Sequence, residues 1–163
     1  MRQIRFREPI SGLSARCVLL ENEAPVSAAF LWQLAMKRPT FDAIHAIWTG
    51  PELSCPLPAS VLPESLSRQT IPEENATSFP APGEIVLASM PDRSVKGLPP
   101  GNFFDIGLFY GPGGRLLMPF GWIRANVCAK VVAEELEALQ TCMKVIQRNG
   151  ACQITIERVS SKT

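Results

Sequence analysis

Apolar residues recur along the chain in two rhythms, and their order predicts the fold. Short β-type runs occupy Gln3–Arg7, Ala15–Leu20, Phe41–Trp48, Gly83–Ala88, Ile106–Tyr110, Val127–Val132 and Gln153–Val159, with a two-residue alternation clearest at Ile106–Tyr110 and Gln153–Val159, and they predict strands. A helical rhythm appears twice. Glu21-Asn22-Glu23-Ala24-Pro25 looks like a helix entrance, with acids near the positive end of the dipole and Pro25 in the first turn, where its missing N–H costs nothing. That helix runs to about Lys37, and Pro39 stops it. The second is the most legible segment: Leu136, Leu139, Met143 and Ile146 follow a +3, +4, +3 spacing, with Glu134, Glu135 and Glu137 at the start and Lys144 and Arg148 at the end. Asn149-Gly150 supplies its stop.

Between these elements the punctuation is uneven. Pro9-Ile10-Ser11-Gly12 predicts an opening hairpin, and Gly111-Pro112-Gly113-Gly114 predicts a second one, joining Ile106–Tyr110 to Arg115–Met118. Thr49-Gly50-Pro51-Glu52 is a turn, after which Leu53-Ser54-Cys55 pairs back as a short arm. Ten of the fifteen prolines lie between Pro51 and Pro100. This bias predicts a surface excursion at about 56–82, interrupted only when the strand at Gly83 begins, and a second loop from Asp92 to Gly101. Strands on both sides of two isolated helices, without βαβ alternation, predict a mainly β architecture: a closed β-barrel with a helix over each end, in a single domain spanning 1–163.

Composition narrows the function classes. At 163 residues, 46% hydrophobic and 19% charged, the chain is long enough to bury a core without disulfides or metals. Sixteen basic against fifteen acidic residues leave +1 and no basic run, which argues against nucleic acid as a partner. No stretch has the length of a signal peptide's apolar core or a membrane span, so the expectation is a cytoplasmic protein that binds no membrane. Five cysteines are odd in number and widely separated, without zinc-ligand spacing, and read as reduced, mostly buried thiols. No phosphate loop or dinucleotide fingerprint is present, so no cofactor or metal is called for.

Three stretches resemble cyclophilins in order and spacing. They are Val18–Ala35, with Glu23-Ala24-Pro25 opening the helix; Ile44-His45-Ala46-Ile47; and Asn126–Arg158, with Ala129-Lys130-Val131-Val132 before the helix and Ile154-Thr155-Ile156 after it. Closer still, His45-Ala46-Ile47-Trp48-Thr49-Gly50, Glu74-Asn75-Ala76-Thr77, Pro82-Gly83-Glu84-Ile85 and Leu108-Phe109-Tyr110-Gly111 are similar to an uncharacterised family of small bacterial proteins with a cyclophilin-like barrel. That resemblance implies a fold and no reaction. In cyclophilins the residue directly after the strand histidine is the arginine that bonds the prolyl nitrogen and weakens amide resonance. Here it is Ala46, whose methyl makes no such contact.

The candidate site residues follow from chemistry. His45 is the sole histidine and the one side chain ordinarily poised to move a proton near neutral pH, so it is the candidate catalytic residue, set against a barrel histidine satisfied by a backbone carbonyl. Trp48, Tyr110, Phe120 and Trp122 are candidates for an aromatic pocket, with Asn75, Thr77, Glu52 and Asn126 as polar contacts. The reading is a small-molecule-binding or accessory catabolic protein without prolyl isomerase activity. The alternative is an enzyme: a residual prolyl isomerase, or a hydrolase or isomerase using His45. The broad apolar surface of the first helix, including Trp32 and Met36, predicts a homo-oligomer, with the Pro58–Pro72 loop as the competing cover.

Overall fold

The computed structural model describes residues 1–161. Eleven strands form in chain order: β1 (Gln3–Glu8), β2 (Leu13–Leu19), β3 (Thr40–His45), β4 (Glu52–Pro58), β5 (Ala76–Thr77), β6 (Glu84–Met90), β7 (Phe103–Phe109), β8 (Leu117–Met118), β9 (Gly121–Trp122), β10 (Ala125–Val131) and β11 (Ala151–Arg158). The α-helices are α1 (Pro25–Leu34), a short α2 (Glu64–Ser67) and α3 (Leu136–Asn149). Eight strands close an antiparallel barrel in the order β2-β1-β11-β3-β4-β7-β6-β10, and β10 returns to β2 through Ala129 opposite Leu19 and Val131 opposite Cys17. Closure leaves no free sheet edge around the ring, which is how an all-antiparallel sheet of this size avoids self-association.

The barrel interior follows the alternation. Ile4, Phe6, Cys17, Leu19, Leu53, Cys55, Leu57, Ile85, Leu87, Phe104, Ile106, Leu108, Ile154 and Ile156 are almost completely buried. From α3, Leu139, Met143 and Ile146 join that core; from α1, Ala28, Phe30, Leu31 and Leu34 do. Helix α1 continues as a 3-10 turn through Lys37, and Arg38 then takes a left-handed conformation. The helix α3 ends at Gly150, whose φ of 81° permits the N–H to reach the Ile146 carbonyl at 2.8 Å. The five cysteines are free thiols, and Cys17, Cys55 and Cys128 are buried. Among the described residues, no helix is long and apolar enough to cross a membrane.

Three expectations are corrected. The strand expected through Trp48 ends at His45: only Ile44 and His45 pair with β4, and the Ala46 N–H makes one last bond, donating to the Glu52 carbonyl, as its chain turns away. The hairpin expected at Gly111–Gly114 does not form, because β7 already has β4 on one side and β6 on the other. The chain after Gly114 instead leaves the wall, and Leu117-Met118 pairs with Gly121-Trp122 in a separate ribbon. The proline-rich stretch is less of an excursion than its composition suggests. Strand β4 extends through Pro58, with Pro56 and Pro58 lying beyond the two residues that pair with β3, where a missing N–H breaks no ladder. Leu62, Leu66 and Ile71 are buried against the main core.

That last packing also bears on α1. Trp32 lies between two guanidinium groups, 5.0 Å from Arg2 and 4.1 Å from Arg158, and Arg158 donates from Nε to the Trp32 carbonyl. Met36 stays exposed. Much of the apolar surface that suggested a second subunit is therefore covered within the chain.

Candidate functional site

Outward-facing positions of a barrel wall are ordinarily polar, and here several are not. Val86 and Ala88 of β6, Phe109 of β7 and Ala125 and Val127 of β10 form a second buried apolar cluster outside the barrel, completed by Leu116 from the segment that leaves the wall. Gly114 makes this layer possible. A Cβ there would sit 2.6 Å from the Pro80 carbonyl oxygen and 2.7 Å from the Phe109 ring. The backbone lies directly on the aromatic ring, and only glycine fits.

Next to this layer opens a cavity of about 330 Å³, at the small end of the range for ligand pockets. Ile44 to Thr49 form one rim, Leu116, Met118 and Ile123 another, and Val86, Ala88, Met90, Pro56 and Ala125 the wall. Its polar groups are few: Glu52 and Ser54 from β4 and Asp105 from β7 contribute side chains that alternation aims outward, between the core residues Leu53, Cys55, Phe104 and Ile106.

Glu52 is only 6% exposed. The Thr49 hydroxyl donates to its Oε1 at 2.5 Å, and among the described residues no hydrogen bond reaches Oε2. Burial, followed by the charge of Asp105, pushes its pKa up to about 8, against the smaller opposing effect of the Thr49 hydrogen bond. Asp105 retains some exposed surface, yet burial pushes its carboxyl up to about 7. The Ser54 hydroxyl lies 2.9 and 3.0 Å from its two oxygens, sharing one proton between them, and this contact lowers the pKa less than burial raises it. No lysine or arginine is among the cavity residues. The pair is thus two carboxyls at the bottom of an apolar cavity without a cation to balance them.

His45 and Tyr110 occupy the opposite face of the wall. His45 stands opposite the fully buried Leu53 in the β3–β4 register, so its ring turns inward although the residue is part of the cavity lining. Its Nδ1 is 3.0 Å from the Ala46 carbonyl oxygen, which only accepts; Nδ1 therefore carries the proton, and Nε2 accepts from the Tyr110 hydroxyl at 2.6 Å. Burial raises the Tyr110 pKa, which keeps that hydroxyl protonated.

The remaining candidates separate into two places. Asn126 is buried, accepting from the Glu74 N–H at 3.0 Å and donating to Ser27 Oγ at 2.9 Å and the Pro72 carbonyl at 2.8 Å. Glu74 in turn accepts the Ser27 N–H in the first turn of α1 at 2.6 Å. Asn75, at φ 49°, donates to the Val127 carbonyl, and Thr77 Oγ1 accepts the Phe79 N–H. These contacts strap the 72–79 segment to β10 and α1. Trp122 packs on Phe79 with ring centroids 5.4 Å apart, and Trp122 and Phe120 are each about half exposed.

Of the sequence candidates, the cavity lining thus includes His45, Trp48 and Glu52. It adds Ser54, Asp105 and Met90, which sequence reasoning missed. A signal for Asp105 was present: it is the one charged residue in the otherwise apolar run Phe103–Phe109. Among the described residues no cluster of histidine, cysteine or carboxylate side chains has the makings of a metal site.

The profile of a family described as proteins of unknown function (DUF3830) matches residues 9–158. No curated protein sequence matches the chain. Among solved structures, McbB in complex with tryptophan has a similar fold, with a TM-score of 0.67 at 16% identity. The similarity covers 99% of this chain and 46% of that one, so the chain spans less than half the length of McbB.

Proposed function

We propose, for a chain that belongs to the DUF3830 family, that it binds a small, largely apolar molecule in the cavity on the outer wall of the barrel. The observation that carries this reading is Glu52: a carboxyl that is 6% exposed, faces a cavity of ligand size and has one oxygen without a partner. The rims supply apolar contact through Ile44, Ile47 and Trp48 on one side and Leu116, Met118 and Ile123 on the other. Trp48 and Ile47 are 53% and 76% exposed, surface that a ligand would cover. The McbB structure with tryptophan agrees with this reading in being a similar fold that holds a small molecule.

Likeness to cyclophilins enters as architecture. With Ala46 after His45 and no arginine among the cavity residues, nothing is placed to polarise a prolyl amide. An enzymatic reading has one specific support, the raised pKa of Glu52, which keeps a transferable proton at neutral pH. It assigns acid chemistry to Glu52 rather than to His45, whose ring nitrogens are both engaged.

The test is thermal protection by a metabolite library, repeated on Ala88→Phe. Ala88 lines the cavity wall and a phenyl ring there fills the space. Compounds that raise the melting temperature of the wild type should leave the variant unmoved. Protection that survives the substitution places binding elsewhere and ends the proposal.

A further inference from the structure

Resting on that reading of the cavity, we propose that its ligand is a cation: an ammonium group carried on an apolar, ring-sized body, with the charge seated between Glu52 and Asp105 and the body against Trp48. The two carboxyls come from adjacent strands. In the β4–β7 register Ser54 stands opposite Gly107, flanked diagonally by Glu52 on its own strand and Asp105 on the other. Gly107 leaves room for the approach, since a Cβ there would overlap Glu52 Oε2. Glu52 Oε2 and the oxygens of Asp105, which already accept from the Ser54 hydroxyl, are acceptors on either side of Ser54 in the cavity lining. An ammonium has three donors and no acceptor, which suits acceptors that ionised carboxylates supply.

Charge selects among ligands more sharply than hydrogen bonding. Of the titratable and charged groups near the pair, Glu52 and Cys55 lie on β4, Asp105 on β7, Asp42 and His45 on β3 and Cys152 on β11, while Arg115 and Arg124 belong to the covering segment. Arg115 is turned to the Gly113 carbonyl, and Arg124 to Glu73 and the Ala76 carbonyl. No lysine or arginine is among the cavity residues, and the raised pKa values of both carboxyls favour their protonated forms. An entering ammonium replaces a proton and is attracted by two carboxylates in a poorly solvated site. A carboxylate ligand adds a third negative charge, and a neutral one leaves the floor uncompensated. The indole of Trp48 on the rim provides apolar surface for the body that carries the charge.

Calorimetry with three probes of one shape decides the matter: phenethylammonium, 2-phenylethanol and 3-phenylpropionate. At pH 8 the amine should bind about tenfold or more tighter than the alcohol, and the carboxylate should not bind. Between pH 6 and pH 8 the amine's affinity should rise about tenfold, because one proton leaves a carboxyl with a pKa near 7 to 8. Titration in two buffers of different ionisation enthalpy should show that proton released. Glu52→Gln and Asp105→Asn should each bring the amine down to the affinity of the wild type for the alcohol, with circular dichroism melts confirming that the variants fold. An alcohol that binds as tightly as the amine, or an amine affinity independent of pH, overturns the cationic ligand. If that alcohol binding is lost in Ala88→Phe, the pocket itself still stands. Failure of all three probes at millimolar concentration overturns both.

Discussion

Glu52 folds its carboxyl over Gly107, the residue of the neighbouring strand two places from its own register partner Phe109. A methyl group at Gly107 would overlap Oε2 and come within 3.0 Å of both the Phe109 ring and Val86. The backbone there has no positive φ, so the requirement for glycine is one of space alone. Gly107→Ala is therefore expected to cost about 1–3 kcal/mol through overpacking, and to displace Glu52 from the cavity. Chemical denaturation measures the first effect and loss of ligand protection the second.

Burial of Glu52 makes stability fall as pH rises. Its folded pKa of about 8 lies above the ordinary carboxyl value of about 4.5, so below about 4.5 both states are protonated and nothing is lost. Between about 4.5 and 8 the unfolded chain ionises while the folded one does not, and the penalty grows until the folded carboxyl ionises too. Asp105 acts in the same direction up to about 7. Glu8, Glu21 and Glu157 have lowered pKa values; their stabilisation is present above the ordinary carboxylate range and is lost in acid, outside this window. Glu52→Gln keeps an acceptor for Thr49 and cannot ionise. Melting temperature from pH 5 to pH 8 should decline in the wild type and decline less in the variant, which should be the more stable protein at pH 8.

Removal of the His45 ring should act on stability and not on the cavity. Its loss strands the Tyr110 hydroxyl and the Ala46 carbonyl, at about 1–2 kcal/mol. His45→Ala should melt lower, with compounds that protect the wild type still protecting it. Intact stability with protection abolished would return His45 to the site.

Prolyl isomerase activity should be negligible. A proline-peptide assay at micromolar protein should match the uncatalysed rate, and a rate comparable to a cyclophilin control would contradict the argument from Ala46.

What the sequence could and could not reveal divides along the barrel wall. Helix α3 was legible because one stripe, Leu139, Met143 and Ile146, faces the core and its opposite face is charged. The barrel strands were legible for the same reason of period. The outer layer was not. Val86, Ala88, Phe109 and Val127 make their strands apolar on both faces, a pattern that does not say what covers the second face. The same ambiguity made Gly111–Gly114 look like a hairpin, since turn chemistry is local and the prior pairing of β7 with β4 and β6 is not. Glu52 was among the sequence candidates, but its partner Asp105 emerges only from register, because the two lie 53 positions apart. Conversely, the amide and hydroxyl of Asn75 and Thr77 suited a turn better than a ligand, Asn126 stood only as a polar candidate, and the structure engages all three with backbone and with Ser27.

The central claim is the place of binding, and a crystallographic screen of small amines and their neutral analogues tests it most directly. Density for a bound fragment is predicted between Trp48 and Ala88, with its polar end within hydrogen-bond distance of Glu52 or Asp105. Density that recurs only elsewhere, against Asn75, Asn126 and Trp122 or along the arginine-lined groove of Arg5, Arg16 and Arg38, with this cavity empty throughout, would contradict it.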